Sequence, residues 1–310
     1  MKFLSPQREY WRLWKYNRHS QIKYYNFWRD EQPEEMWFSR FITHHFPNYK
    51  LRINFISVLG PVEMMEYHHR GINIFYTGEN IHARRFKPYL DQYKMQSYNL
   101  SLGFDYEGEG NYMRLPLWVI WHFPPEATQE QIDKMCQEMS HPSLGDRPRF
   151  CVLVCSHDQS GLRKEIMDAL ETVGHVDSAG RYCQNTDSLH TEFDNDKPRF
   201  LQQYRYNICP ENSNHKGYVT EKIFDAIKSG CVPIYNGSDN TPEPDIINQE
   251  AVLFWSSKSD NLQLISQICK LESDSNAYHH FANQARLTPQ APDIIWQYYT
   301  LLHEKLKELL

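Results

Sequence analysis

The chain has no apolar run long enough to cross a bilayer, so no membrane-spanning helix is expected from it. Its first twenty residues are crowded with Lys, Arg, His and aromatics, which excludes a signal peptide there. No Cys-x-x-Cys occurs, and the cysteine count, seven, is odd. Several of these cysteines sit inside apolar segments, where a free thiol behaves as a small hydrophobe. A disulfide framework is therefore not expected, and a reducing compartment fits best. The 15 histidines include the pairs His44-His45, His68-His69 and His279-His280, but no His-Glu-x-x-His or comparable ligand spacing appears. No metal centre is expected from them. Basic residues do not outnumber acidic ones: 33 Lys and Arg face 39 Asp and Glu, interspersed, for a net charge of −6. That excludes a nucleic-acid binder, which needs a basic face. Internal repeats and low-complexity tracts are absent as well.

What remains is 310 residues with 40% hydrophobic and 14% aromatic content, enough for two packed domains. Strand-like runs at 21–28, 49–59, 72–77 and 98–104 alternate with helix-like runs at 33–46, 86–93 and 129–139. Between Ser140 and Arg149 the composition turns to Pro, Ser, Gly and charge, and the domain boundary is placed there, giving domains 1–145 and 146–310. A second alternation follows. Strands are expected at 150–155, 206–209, 231–235 and 251–255, and helices at 162–173, 198–204, 220–228, 261–271 and 277–286. Alternation of this kind implies an α/β protein with parallel sheets covered on both faces. The final segment, Pro292 to Leu310, reads as an amphipathic helix with a seam of Ile295, Tyr299, Leu302, Leu306 and Leu309. Barely two heptads long, it is expected to dock on its own protein, with a dimer or a peripheral membrane contact as the alternatives.

The densest signal runs from Pro210 to Gly237. A polar loop, Glu211-Asn212-Ser213, leads to Tyr218-Val219-Thr220-Glu221-Lys222. Val219, Ile223, Ala226 and Ile227 follow at helical spacing, Gly230 stands where a left-handed C-terminal residue belongs, and Asn236-Gly237 is a turn dipeptide. Lys222 lies in the first helical turn, where the macrodipole is already positive. A cation there is unfavourable unless an anion joins it, and free N–H groups at helix starts commonly bind phosphate. Farther upstream, Ile74-Phe75-Tyr76-Thr77-Gly78-Glu79-Asn80 is a strand that stops at Gly78 and delivers a carboxylate at its carboxyl end, the end where open α/β sheets bind ligands.

These blocks resemble the α-1,3-fucosyltransferases of glycosyltransferase family 10. The likeness rests on Glu-Asn-Ser, Tyr-Val-Thr-Glu-Lys and Gly-x-Val-Pro-Ile-x-x-Gly around residues 211–237, and on Gly78-Glu79-Asn80. Leu102 to Asp105, Tyr112 to Leu117 and Ser156 to Arg163 also resemble family elements, in the family's order, over about residues 70–240. One departure is Pro210, where the family usually has Phe; it removes a backbone donor and a ring. The resemblance implies the GT-B architecture, two Rossmann-like domains facing across a cleft, the first for the acceptor and the second for GDP-fucose. It implies transfer of L-fucose from GDP-β-L-fucose, with inversion, to the 3-hydroxyl of GlcNAc in a Galβ1-4GlcNAc-type surface glycan, such as a Lewis antigen on lipopolysaccharide. Members from animals and plants begin with a membrane anchor, so this chain resembles the bacterial, cytoplasmic members, soluble or peripheral at the inner membrane.

Inverting transfer needs one general base and positive charge for the leaving diphosphate. The family pattern puts the base at Glu79, with Asp105 and Glu107 the next carboxylates in line. It puts the diphosphate on Arg163 and Lys222, the ribose hydroxyls on Glu221, the nucleotide along Tyr218, and a loop or donor contact on Asn212. No cofactor is required, although divalent ions could stimulate activity. Asp194-Asn195-Asp196 is read as a solvated loop and not as a metal-binding pair. The rival readings are the same fold with an α-1,4 linkage or a different acceptor, and a non-catalytic sugar-nucleotide or glycan-binding module.

Overall fold

A computed structural model describes residues 6–28, 31–64, 70–86, 89, 97–108, 110–142 and 145–310. The chain divides into two compact units, residues 1–129 with 295–310, and residues 130–294.

In the first unit, α1 (Pro6–Asn17) precedes β1 (Ile22–Tyr25), and α2 (Trp37–His45) connects it to β2 (Ile53–Ile56). Then come β3 (Ile72–Tyr76), β4 (Leu100–Gly103), β5 (Tyr112–Arg114) and α3 (Leu117–His122). The five strands lie in chain order, β1-β2-β3-β4-β5, and every neighbouring pair is parallel. Both β2 and β4 are buried at every position, as parallel strands covered on two faces must be. Aromatic packing fixes α2 on the sheet. Phe38 stacks on Phe55 at 4.6 Å, and the Tyr24 and Ser39 hydroxyls hydrogen-bond at 2.7 Å.

The second unit opens with α4 (Gln129–Ser140) and β6 (Arg149–Leu153), followed by α5 (Leu162–Leu170) and β7 (Val176–Ser178). Two short helices, α6 (Ser188–Thr191) and α7 (Lys197–Leu201), lead to β8 (Tyr204–Ile208), α8 (Glu221–Lys228), β9 (Val232–Tyr235) and β10 (Leu253–Phe254). Two further helices, α9 (Leu262–Ser273) and α10 (Ser275–Ala282), complete it, and α11 (Ala291–Leu309) ends the chain. The strand order is β10-β9-β8-β6-β7, again all parallel. The chain runs outward from β6 to β7, then returns to build β8, β9 and β10 on the other side. That reversal opens a crevice outside the carboxyl ends of β6 and β8, the usual ligand position in such sheets.

Several expectations shift. The expected 33–46 helix begins only at Trp37, because Met36 takes an extended backbone (φ −58°, ψ 142°). The expected 198–204 helix stops at Leu201, and Tyr204 already belongs to β8. The short elements β5, α3, β7 and α6 carry too little periodicity to be anticipated, and α1, twelve residues long, is a helix where none was expected. The helix expected at 86–93 falls mostly outside the described residues; Phe86 closes a 3₁₀ turn, Arg84–Phe86. The largest difference concerns the chain's end. The boundary lies at 129/130, and residues 295–310 group with the first unit and not with 146–294. Their apolar seam explains it. Ile295, Tyr299, Leu302 and Leu306 are buried, Tyr299 donates to the Pro124 carbonyl at 2.7 Å, and Arg114 donates to the Tyr298 hydroxyl at 2.6 Å. The helix docks on its own chain, and this seam is covered.

Candidate active site

At the crevice between β6 and β8 lies a recess of about 30 Å³, lined among others by Cys155, Arg163, Lys197, Pro210 and Lys222. Three of these side chains are cations. Gly161, left-handed at φ +79°, turns the chain into α5 and sets Arg163 in its first turn. Arg163 is 6% exposed. Its guanidinium donates to the His157 carbonyl at 2.9 Å, to Asn212 Oδ1 at 2.8 Å and to the Pro210 carbonyl at 3.4 Å. Thus Arg163 and Asn212, distant in sequence, are joined, and Asn212 holds the guanidinium in place. Among the described residues Arg163 has no carboxylate partner, and a buried charge without one favours an incoming anion. Burial alone does not make such a site. Arg147 and Arg286 are also buried and, like Arg163, donate to backbone carbonyls, those of Tyr204 and Ser229 and of Ala251 and Ala282. Neither lines the recess.

Lys222 enters from the first turn of α8. Its Nζ lies 2.8 Å from Thr220 Oγ1, 3.2 Å from Glu211 Oε2 and 3.6 Å from Glu221 Oε1. Burial disfavours its charge, but Glu211 and Glu221 outweigh that and hold the ammonium above its usual range. The Glu221 carboxyl is shifted the opposite way. Burial would raise it, yet Lys222, its own backbone N–H, Lys197 and Thr220 bring it below the ordinary value. Tyr218, expected along the nucleotide, is enclosed at 2% exposure and does not line the recess.

The organiser of this helix start is Glu211, to which the sequence reading gave no role. Its side chain is wholly buried. One carboxylate oxygen accepts from Thr220 N at 2.8 Å and Tyr235 Oη at 3.3 Å, the other from Thr220 Oγ1 at 2.7 Å and Lys222 Nζ at 3.2 Å. The Thr220 hydroxyl, which could have capped α8, is engaged here instead. Gly237 makes the room: at φ +155° it has no Cβ, and one would sit 2.6 Å from Glu211 Cγ. The signal in the sequence was the one carboxylate of the loop, nine residues before the helix cap. The Asp194-Asn195-Asp196 segment is accounted for locally, since Asp196 caps α7 by accepting from Arg199 N at 3.1 Å.

In the first unit, the chain leaving β3 turns at Thr77, whose hydroxyl accepts from Glu79 N at 3.0 Å. Gly78 lies close against Leu117: a Cβ there would meet Leu117 Cδ1 at 2.9 Å and oblige that side chain to shift. Glu79 follows with 23% of its side chain exposed and forms an ion pair with Arg85. On the neighbouring strand end, Asp105 pairs with His82 Nε2 at 3.0 Å, and Glu107 is exposed. Leu117, the residue against Gly78, also lines a cavity of about 500 Å³. Its walls include Trp28, Trp37, Trp121, Glu31, Glu35 and Arg40. A second cavity of about 560 Å³ lies around residues 19–22, at the amino end of β1. The charged recess of the second unit is far smaller than either, so charge and topology, not volume, single it out.

The fold is that of a GT-B-type glycosyltransferase, and the comparisons with known proteins agree. The family model for the alpha-(1,3)-fucosyltransferase FucT N-terminal domain matches residues 22–121. That for glycosyltransferase family 10 (fucosyltransferase), C-terminal part, matches residues 146–298. The chain belongs to glycosyltransferase family 10. The likeness therefore reaches well beyond the stretch of about 70–240 where the sequence blocks were visible. Alpha-(1,3)-fucosyltransferase FucT of Helicobacter pylori is 26% identical over 249 residues, 69% of this chain and 49% of the relative. GDP-fucose protein O-fucosyltransferase 3 of Homo sapiens is 30% identical over 131 residues, 40% of this chain and 26% of the relative. The chain thus spans about half the length of the first and a quarter of the second. A crystal structure of an alpha1,3-fucosyltransferase superposes with TM-score 0.61 at 22% identity, covering 91% of this chain and 89% of that one. No described helix is long and apolar enough to cross a membrane.

Proposed function

We propose that this protein transfers L-fucose from GDP-β-L-fucose, with inversion, to the 3-hydroxyl of GlcNAc in a Galβ1-4GlcNAc-type glycan. The observation that carries the reading is the cationic recess at the β6/β8 crevice, where Arg163 and Lys222 lie together inside a family 10 fold. In this reading Glu79 takes the proton from the acceptor hydroxyl, and the oxygen forms its bond to the anomeric carbon. The bond from that carbon to the β-phosphate oxygen breaks, and the charge that accumulates on GDP is met by Arg163 and Lys222. Glu221 serves the ribose hydroxyls. The recess carries its own cations, so donor binding proceeds without a divalent ion. The acceptor lies in the tryptophan-walled cavity, where aromatic faces suit the C–H faces of sugar rings and Glu31, Glu35 and Arg40 suit their hydroxyls.

The relatives' names divide on the acceptor and not on the sugar. They include α-1,3, α-1,4 and protein O-fucosyltransferases. The deciding experiment is a donor and acceptor screen in chelator, with linkage analysis of the product. Fucosylation at O3 of GlcNAc from GDP-fucose is expected. Product at O4, or on a Ser or Thr hydroxyl, overturns the acceptor assignment. Tight GDP binding with no product from any acceptor identifies a binding module.

A further inference from the structure

We propose that the exposed face of α1 binds the surface of membranes rich in anionic phospholipid. The helix is fastened along one side. Leu13 and Asn17 are 1% and 2% exposed, and Asn17 accepts from Tyr24 N and donates to the Tyr24 carbonyl, both at 2.8 Å. Glu9 is also buried on that side, at 3%. At about 100° per residue, the remaining circumference divides into two stripes. One carries Tyr10, Trp11 and Trp14, exposed by 54%, 67% and 52%. The other carries Arg8, Arg12 and Lys15, all exposed, with Arg18 just beyond the helix end.

Three of the largest exposed apolar side chains in the described structure thus fall within five residues, beside four cations. The helix's one carboxylate, Glu9, is turned inward. The local excess of positive charge is opposite in sign to the chain's net −6. Trp11 and Trp14 meet edge to face at 5.4 Å and form a single protruding wedge. A cavity of about 230 Å³ at its foot is lined by Tyr10, Trp14, Tyr25, Arg18 and Lys23, an aromatic wall with two cations suited to a phosphate headgroup.

Tryptophan and tyrosine settle at the boundary between headgroups and acyl chains, and lysine and arginine are drawn to anionic lipid. A helix with this division lies in the plane of the interface. Nucleic acid would satisfy the cations but would be repelled by the rest of the chain. A second copy would satisfy the tryptophans while bringing like charges together.

The test is co-sedimentation of the full chain with vesicles of phosphatidylcholine alone or mixed equally with phosphatidylglycerol, read together with tryptophan emission. Binding to the anionic vesicles, a blue shift and release by high salt are expected. Each cation removed from Arg8, Arg12 and Lys15 weakens binding about fivefold, and Trp11→Ala with Trp14→Ala weakens it by at least about tenfold. These side chains are exposed, so melting temperatures stay at the wild-type value and report intact folding. Absent vesicle binding overturns the proposal, as does equal binding to neutral vesicles or equal binding by the variants. Self-association in sedimentation velocity that the Trp variants abolish, without vesicle binding, overturns it in favour of a second copy.

Discussion

The candidate site residues of the two units handle charge in opposite ways. In the second, Arg163 is 6% exposed, and Lys222 leans on a Glu211 carboxylate that is wholly enclosed. In the first, Glu79 and Arg85 form their ion pair with 23% and 48% of their side chains in solvent. A buried network is held by packing and by hydrogen bonds that have no water to replace them. An exposed pair contributes little to stability and exchanges partners readily. In the proposed reaction the diphosphate would call for the first kind, because its cations must be in place before the leaving group departs. Glu79, as the proposed base, would call for the second, because Arg85 would have to give way to an acceptor hydroxyl.

The largest expected effect tests the exposed side. Glu79→Gln keeps size and hydrogen bonding but removes the proton acceptor. Turnover should fall by about 10²–10⁴-fold, the usual worth of general-base catalysis. GDP affinity and melting temperature should stay near wild type, since the residue is partly exposed and belongs to the first unit. Steady-state kinetics with titration calorimetry decide it. Near-normal turnover moves the role to Asp105 or Glu107.

The buried side is tested next. Lys222→Ala should weaken GDP binding by about 1.5–3 kcal/mol, the range for a hydrogen bond to a charged group. It should also lower the melting temperature, because Glu211 loses one of its donors inside the protein. Glu211→Gln should weaken GDP as well, although Glu211 is given no contact with the donor. Calorimetric titration that finds Glu211→Gln binding GDP normally would show that Lys222 needs no organiser.

The same contrast explains what could be read from the chain beforehand. The α/β class, the parallel strands and the helix start at Thr220 were legible because apolar periodicity and a glycine stop are local signals. Arg163 and Lys222 stood out because a cation at a helix N-terminus is out of place unless an anion joins it, and Glu221 stood out only through the family pattern. Glu211 was not legible, because its meaning lies in four donors brought from two separate segments, and in the absent side chain of Gly237. The tryptophan-walled cavity was missed for a similar reason: Trp28 comes from a loop and Trp37 and Trp121 from two separate helices, and nothing in the sequence marks them as neighbours. The docking of residues 295–310 on the first unit could not be foreseen either. Its seam declared an apolar face without saying which surface receives it.

A smaller effect is expected in the first unit. Trp121 is 62% exposed on the cavity wall, so Trp121→Ala should leave fold and GDP affinity alone. It should raise the acceptor KM by up to about tenfold, from the 0.5–1.5 kcal/mol typical of aromatic contacts. Initial-rate measurements against acceptor concentration check it, and an unchanged KM removes this cavity from the acceptor site.

The smallest effect concerns Glu221 in the absence of donor. Its carboxyl lies below the ordinary value of 4.5: burial opposes the shift, and Lys222 leads the groups that outweigh it. A carboxyl lowered in the folded state stabilises the protein above its unfolded value, and that stabilisation is lost as pH falls through the folded value. The melting temperature of wild type should therefore exceed that of Glu221→Gln by a constant margin from neutral pH down to about 4.5. Below that the gap should close, because a protonated glutamate and a glutamine differ little. In a Lys222→Ala background the same gap should shrink at neutral pH, since the two residues are in contact and their effects are not additive. Paired thermal melts across pH, with and without Lys222, supply the measurement. A gap that persists unchanged at pH 3, or that ignores Lys222, would mean that the buried charges of the second unit are not interlocked as their distances imply.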